Sequence, residues 1–82
     1  MEENMHALME RLNSSSQFLQ SNDMRVTEVR HGFAKVEMII DEQILNIHGF
    51  VHGGALFSLA DTVAGAASFA TGRDSVTLTG TI

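Results

Sequence analysis

The sequence predicts an α+β domain in which an antiparallel sheet wraps a central helix, and three observations point there. Residues 24–40 move toward a period of two, with Ala34, Val36, Met38 and Ile40 alternating against Lys35, Glu37 and Ile39. Residues 54–71 are apolar on almost every side, carrying Leu56, Phe57, Leu59, Val63, Phe69 and six alanines. Residues 75–82 again alternate, Thr77, Thr79 and Thr81 against Val76 and Leu78. A helix without a polar face has to be surrounded. The strands on either side of it are what this chain offers for the purpose.

The elements can be justified in order. Met5, Leu8, Met9 and Leu12 fall at i, i+3, i+4 and i+7, which predicts a peripheral amphipathic helix over 2–13. Glu2 and Glu3 suit the positive end of its dipole. Ser14 to Ser16 interrupt the pattern, and Asn22-Asp23 supplies turn chemistry before the hairpin expected over 24–40. His31-Gly32 sits between its two strands. Val26 and Val29 would lie on opposite faces of a regular strand, so a bulge or a two-sided contact is expected in the first one. The stretch from Asn46 to Gly54 is too rich in glycine for a helix interior and reads as a loop. The central helix follows over 54–71, with Gly72 placed to stop it. A last strand is expected over 75–82.

Composition narrows the function classes. With 82 residues and 44% apolar side chains the chain holds one domain, 1–82, and without cysteine no disulfide supports it. The net charge of −5, with Arg11, Arg25, Arg30, Lys35 and Arg73 scattered, counts against nucleic acid. A membrane span would not welcome Asp61 near the middle of the one long apolar run. The Met-Glu-Glu start lacks the positive charge of a leader peptide, so a cytoplasmic location is expected. Three strands, the last ending at Ile82, are too little sheet to wrap an all-apolar helix. The chain therefore reads as the N-terminal part of a larger domain, and a partner subunit is the natural source of further buried area.

Chemistry concentrates around that helix. Asp61 is the only formally charged residue between Gln43 and Gly72. A carboxylate buried there without a basic neighbour would have a raised pKa and mark a site. Its blander role is to reach solvent or accept hydrogen bonds from Thr62 or a backbone turn. Gly53 and Gly54 would let a ligand approach the open N–H groups of the first helical turn, a seat for a carbonyl oxygen that becomes negative. They could equally be an ordinary glycine entry into a packed helix. His48 and His52 are four apart, a zinc spacing only if helical, and the surrounding glycines argue against a helix. No metal site and no cofactor are expected.

Asn46, His52-Gly53-Gly54 and Leu56-Phe57-Ser58-Leu59-Ala60-Asp61-Thr62 together resemble the signature of hotdog-fold acyl-CoA thioesterases, in particular the PaaI-type branch of the 4-hydroxybenzoyl-CoA thioesterase superfamily. The resemblance runs from about Met5 to Ile82. Hotdog dehydratases carry a proline-containing histidine loop and a helical glutamate, and this chain has no proline. The resemblance implies hydrolysis of an aryl- or medium-chain acyl-CoA, with CoA entering as part of the substrate. It assigns the carbonyl to the Gly53 N–H, assisted by the Asn46 amide, and makes Asp61 the general base or the direct nucleophile. It places His52 beside the thioester, Gly54 in the substrate-binding turn, and Thr77, with Thr79 as the alternative, on the water. Gly53 and Asp61 are eight residues apart, about 12 Å along one helix, too far for both to touch one carbonyl carbon. Two antiparallel helices from two protomers would bring them together, which agrees with the family's dimeric sites and its homodimers or dimers of dimers. A non-catalytic module that binds acyl-CoA or only dimerises, or an inactive fragment of a thioesterase, is the alternative.

Overall fold

The structure, a computed structural model, describes residues 5–81. Helix α1 runs Met5–Ser15 and the short α2 runs Gln17–Ser21. Strands β1, Met24–Arg30, and β2, Phe33–Met38, form an antiparallel hairpin, and a 3-10 turn at Glu42–Ile44 leads through a loop into α3, Gly53–Phe69. Glu2 and Glu3, expected in the first turn of α1, lie outside the described residues. Ser14 and Ser15 continue α1 instead of ending it, and Ser16 caps α2 by accepting the Leu19 N–H.

The hairpin shows how an irregular sequence makes a regular face. Val26 pairs with Val36 and Glu28 with Lys35, so Thr27 is an extra residue on β1. That bulge returns Val29 to the face of Val26. Met24, Val26 and Val29 are all buried there, Val26 with only 1% of its surface exposed. The two-residue connection closes with Gly32 at φ +75, a conformation that other residues adopt at a cost. Asp23 enters β1 at φ +54, a region Asp tolerates better than most. Leu8 of α1, Leu19 of α2, and Ala66 and Ala70 at the far end of α3 complete the core.

One side chain ties the helical segment to the sheet. Asn13 accepts the Val26 N–H through Oδ1 at 2.7 Å and donates from Nδ2 to the Val26 carbonyl at 2.9 Å, standing in for a neighbouring strand. Gln20 in turn donates from Nε2 to the carbonyls of Asn13 and Ser14, which the end of α1 leaves open. Asn13→Ala would leave both Val26 backbone groups without their partner. It is expected to lower unfolding stability by roughly 1–3 kcal/mol, read from the midpoint of a urea titration. An unchanged midpoint would show that water replaces the amide at no cost.

As three strands are too little sheet to wrap it, the central helix is not surrounded: the two strands cover one side of it, Ala66 is its one buried residue, and Leu56 and Phe57 are 47% and 37% exposed. The radius of gyration, 13.3 Å, exceeds the ~12 Å of a compact chain of this length, as half-covered packing requires. The strand expected over 75–82 does not form in its described part, residues 75–81. A strand needs an edge to pair with, and the β1–β2 pair is the only sheet among the described residues. The segment lies along α3 instead. Ser75 and Ser68 share a hydroxyl hydrogen bond of 2.9 Å, and a Cβ on Gly80 would come within 3.0 Å of the Phe57 ring.

Candidate active site

The loop before α3 is held by its own backbone. Leu45 and Val51 form an isolated antiparallel bridge, Asn46 N–H donates to the Phe50 carbonyl at 2.7 Å, and Gly49 turns the chain at φ +84. Within it Asn46 Oδ1 accepts the N–H groups of His48 and Phe50 at 2.9 and 3.1 Å. Two donors on one oxygen fix the amide's orientation. Among the described residues Asn46 Nδ2 is left as an uncommitted donor, on a half-buried residue that the bridge sets beside the approach to α3.

His52 is the N-cap of α3. Its Nδ1 accepts the Gly54 N–H at 2.8 Å, so the neutral ring carries its proton on Nε2. Gly54 thus serves the cap rather than a ligand: its N–H is taken, and a Cβ there would come within 3.0 Å of His52 Nδ1. The His52 carbonyl accepts from Ala55 and Leu56 at 3.0 and 3.2 Å. Of the first-turn donors, Gly53 N–H is the one without a protein acceptor among the described residues. A Cβ on Gly53 would meet nothing within 4 Å, so neither crowding nor a positive φ demands glycine there. What remains is an open, electropositive helix start.

Asp61 lies two turns further along, on the exposed stripe of α3 with Phe57 and Gly65. It is exposed rather than buried, because the strand segment that would cover it runs only beside it. The Thr77 hydroxyl donates to Asp61 Oδ1 at 2.5 Å. Thr77, not Thr79, makes this contact, and it fixes one carboxylate oxygen while leaving the other free. Asp61 and Thr77 stand at a cleft of about 380 Å³ whose walls include Leu12, Phe18, Leu19 and Val26. Gly53 and Asn46 do not line this cleft. They belong to the other end of α3, and one chain does not assemble all the residues named above. His48 is exposed on the loop, and among the described residues no three His, Asp or Glu side chains gather as a ligand set.

A larger opening, about 800 Å³, lies at the far end of α3 beside Arg11, Arg30, His31 and Phe69. Its guanidiniums are already engaged: Arg11 lies 5.2 Å from the Phe69 ring centre, and Arg30 stacks on Phe33 at 3.9 Å and pairs with Glu28 at 3.1 Å. It holds no carboxylate fixed by a hydroxyl. The smaller cleft, with Asp61 at its rim, is the better candidate for chemistry. Its apolar walls come from α1, α2 and β1, and sequence reasoning missed them because no local spacing connects Leu12 or Phe18 to Asp61.

Fold and site together define a hotdog-type α+β domain with a carboxylate lining an apolar cleft. The sequence matches the family described as Domain of unknown function (DUF4442) over residues 6–79, and the chain belongs to that family. It is 43% identical over 51 residues to the Archaeoglobus fulgidus protein called "Putative esterase", covering 62% of this chain and 33% of that protein. It is 51% identical over 37 residues to the acyl-coenzyme A thioesterase PaaI of Escherichia coli, covering 45% of this chain and 26% of the enzyme. The conserved protein PA5202 from Pseudomonas aeruginosa superposes with a TM-score of 0.71 at 34% identity, over 78% of this chain and 54% of that structure. The chain therefore spans about a quarter to a half of the length of these relatives. Among its described residues no helix is long and apolar enough to cross a membrane.

Proposed function

We propose that the chain carries the active-site motif of an acyl-CoA thioesterase acting on an aryl- or medium-chain acyl group. The observation that carries this reading is the Asp61 carboxylate, fixed by the Thr77 hydroxyl at 2.5 Å on the rim of an apolar cleft. The thioester carbonyl would sit against the open Gly53 N–H and Asn46 Nδ2, where charge developing on oxygen meets donors already oriented. Asp61 either takes a proton from water as it attacks the carbonyl carbon or attacks that carbon itself to form an anhydride. In both routes the C–S bond breaks and the CoA thiolate leaves and is protonated. In the first, water supplies the new oxygen of the acid; in the second, water attacks the Asp61 carbonyl carbon of the anhydride, so that the acid leaves with an Asp61 oxygen and water restores the carboxylate. Hydrolysis in ¹⁸O-water separates them: a single turnover through an anhydride returns an unlabelled acid.

The site is shared in this reading. Asp61 of one protomer would face Gly53 and Asn46 of the partner subunit, since one helix holds Gly53 and Asp61 about 12 Å apart. Ile47, Phe50 and Leu56 support such a dimer, because they are exposed apolar side chains around the same helix start. His52 Nε2–H would stand beside the leaving sulfur. Release of free thiol from a panel of acyl-CoAs tests the proposal, with turnover of aryl and medium-chain members as the expected result. Tight binding of the panel without turnover would leave an acyl-CoA-binding module in its place.

A further inference from the structure

We propose that Gly65 sets the depth of the acyl cleft and so the size of the acyl group, an inference that rests on the thioesterase reading above. Asp61 and Gly65 are four residues apart on α3, hence on one face and about 6 Å apart along the axis. Both line the 380 Å³ cleft together with Thr77, Leu12, Phe18 and Val26. An acyl group whose carbonyl carbon is at Asp61 passes over Gly65 on its way to the apolar wall.

Glycine inside a helix weakens it relative to alanine and needs a reason. The usual reasons are absent here. Gly65 is not among the glycines with positive φ, and a Cβ built on it meets nothing within 4 Å. The space it leaves opens into the cleft that it lines. Phe18 also lines the cleft while 54% exposed, an aromatic ring with surface still uncovered. Apart from Asp61 the lining carries no charged side chain, and at 380 Å³ the cleft is near the lower end of the ~300–1,000 Å³ common for small-molecule sites. Its chemistry fits an uncharged acyl group of aryl or medium-chain size and excludes one ending in a carboxylate or a long alkyl chain.

Gly65→Ala and Gly65→Leu test this, and both introduce better helix formers, so loss of folding does not obscure the result. The measurement is kcat/KM across acetyl-, hexanoyl-, decanoyl- and phenylacetyl-CoA, with thermal melting and molar mass in solution alongside. Each methylene excluded from an apolar pocket changes selectivity by about 10–200-fold, so Gly65→Leu should lower the hexanoyl-to-acetyl ratio at least 10-fold. Gly65→Ala should lower it less while raising Tm. An unchanged ratio in Gly65→Leu overturns the inference, and if Asp61→Asn still abolishes turnover the thioesterase reading survives it. Loss of the dimer in Gly65→Ala also overturns it, because the glycine would then serve helix packing between protomers. Should the wild type hydrolyse no acyl-CoA, calorimetric titration with hexanoyl- and acetyl-CoA gives the same decision: a preference for hexanoyl-CoA that Gly65→Leu removes supports the role, and equal affinities end it.

Discussion

Asp61→Asn is expected to reduce acyl-CoA hydrolysis by at least 10²–10⁴-fold, the range associated with removing a positioned acid–base group. The substitution keeps the size of the side chain and an oxygen that can still accept the Thr77 hydroxyl, so the fold and the cleft rim should persist. It removes the basicity that activates water and the charge that would attack the carbonyl. KM should change little by comparison, because in the proposed reading the acyl group packs on the apolar side chains of the cleft rather than on the carboxylate. Equal rates for wild type and variant would show that Asp61 is a surface residue bonded to a nearby threonine and nothing more. A full loss accompanied by a lower melting temperature would instead indicate a structural role, which is why both are measured.

Mixing two inactive variants gives the second large effect. An Asp61→Asn protomer retains Asn46 and Gly53, and an Asn46→Ala protomer retains Asp61. If each site draws on both subunits, a heterodimer of the two contains one intact site and one site with both defects. Random exchange makes half of the dimers heterodimers, so activity should recover from near zero to about a quarter of wild type. Sites built within single chains cannot recover at any mixing ratio. Subunit exchange has to be verified independently, for example with differently tagged protomers, and failure to recover after verified exchange would rule out the shared site. The structure motivates this test directly, since Gly53 and Asn46 are absent from the cleft that Asp61 and Thr77 line.

Much of the scaffold was legible because it is written in local periodicity. The alternation from Ala34 to Met38 gave the second strand, and the misfit of Val26 and Val29 pointed to the bulge at Thr27. The glycine-rich entry and Gly72 bracketed the central helix, which ends within a few residues of that glycine. The five-residue α2 was not legible, since it is too short to show a helical period. Nor was the clamp between Asn13 and Val26, a contact 13 residues apart that no pattern encodes. Of the two roles open to Asp61, the solvent-reaching one is what the structure shows: an apolar helix says what it requires, while its exposure depends on how many strands reach it. The same holds for residues 75–81, whose threonine alternation suits a pleated surface but cannot supply the neighbouring strand. In the site, Gly53 and Asp61 stood out as residues, whereas Thr77 came only through family resemblance. Gly65 carried a signal that went unused, a glycine one helical turn after the sole charge in the run.

The amide of Asn13 also gives the sheet a direction of growth. By occupying both outward-facing backbone groups of Val26, it seals the rim of β1 as a strand would, while ending any ladder there. A further strand, whether from a longer chain or from another molecule, would have to displace that side chain to join on this side. Among the described residues no side chain plugs the outward rim of β2 in this way, so a further strand would meet no such obstacle on that side.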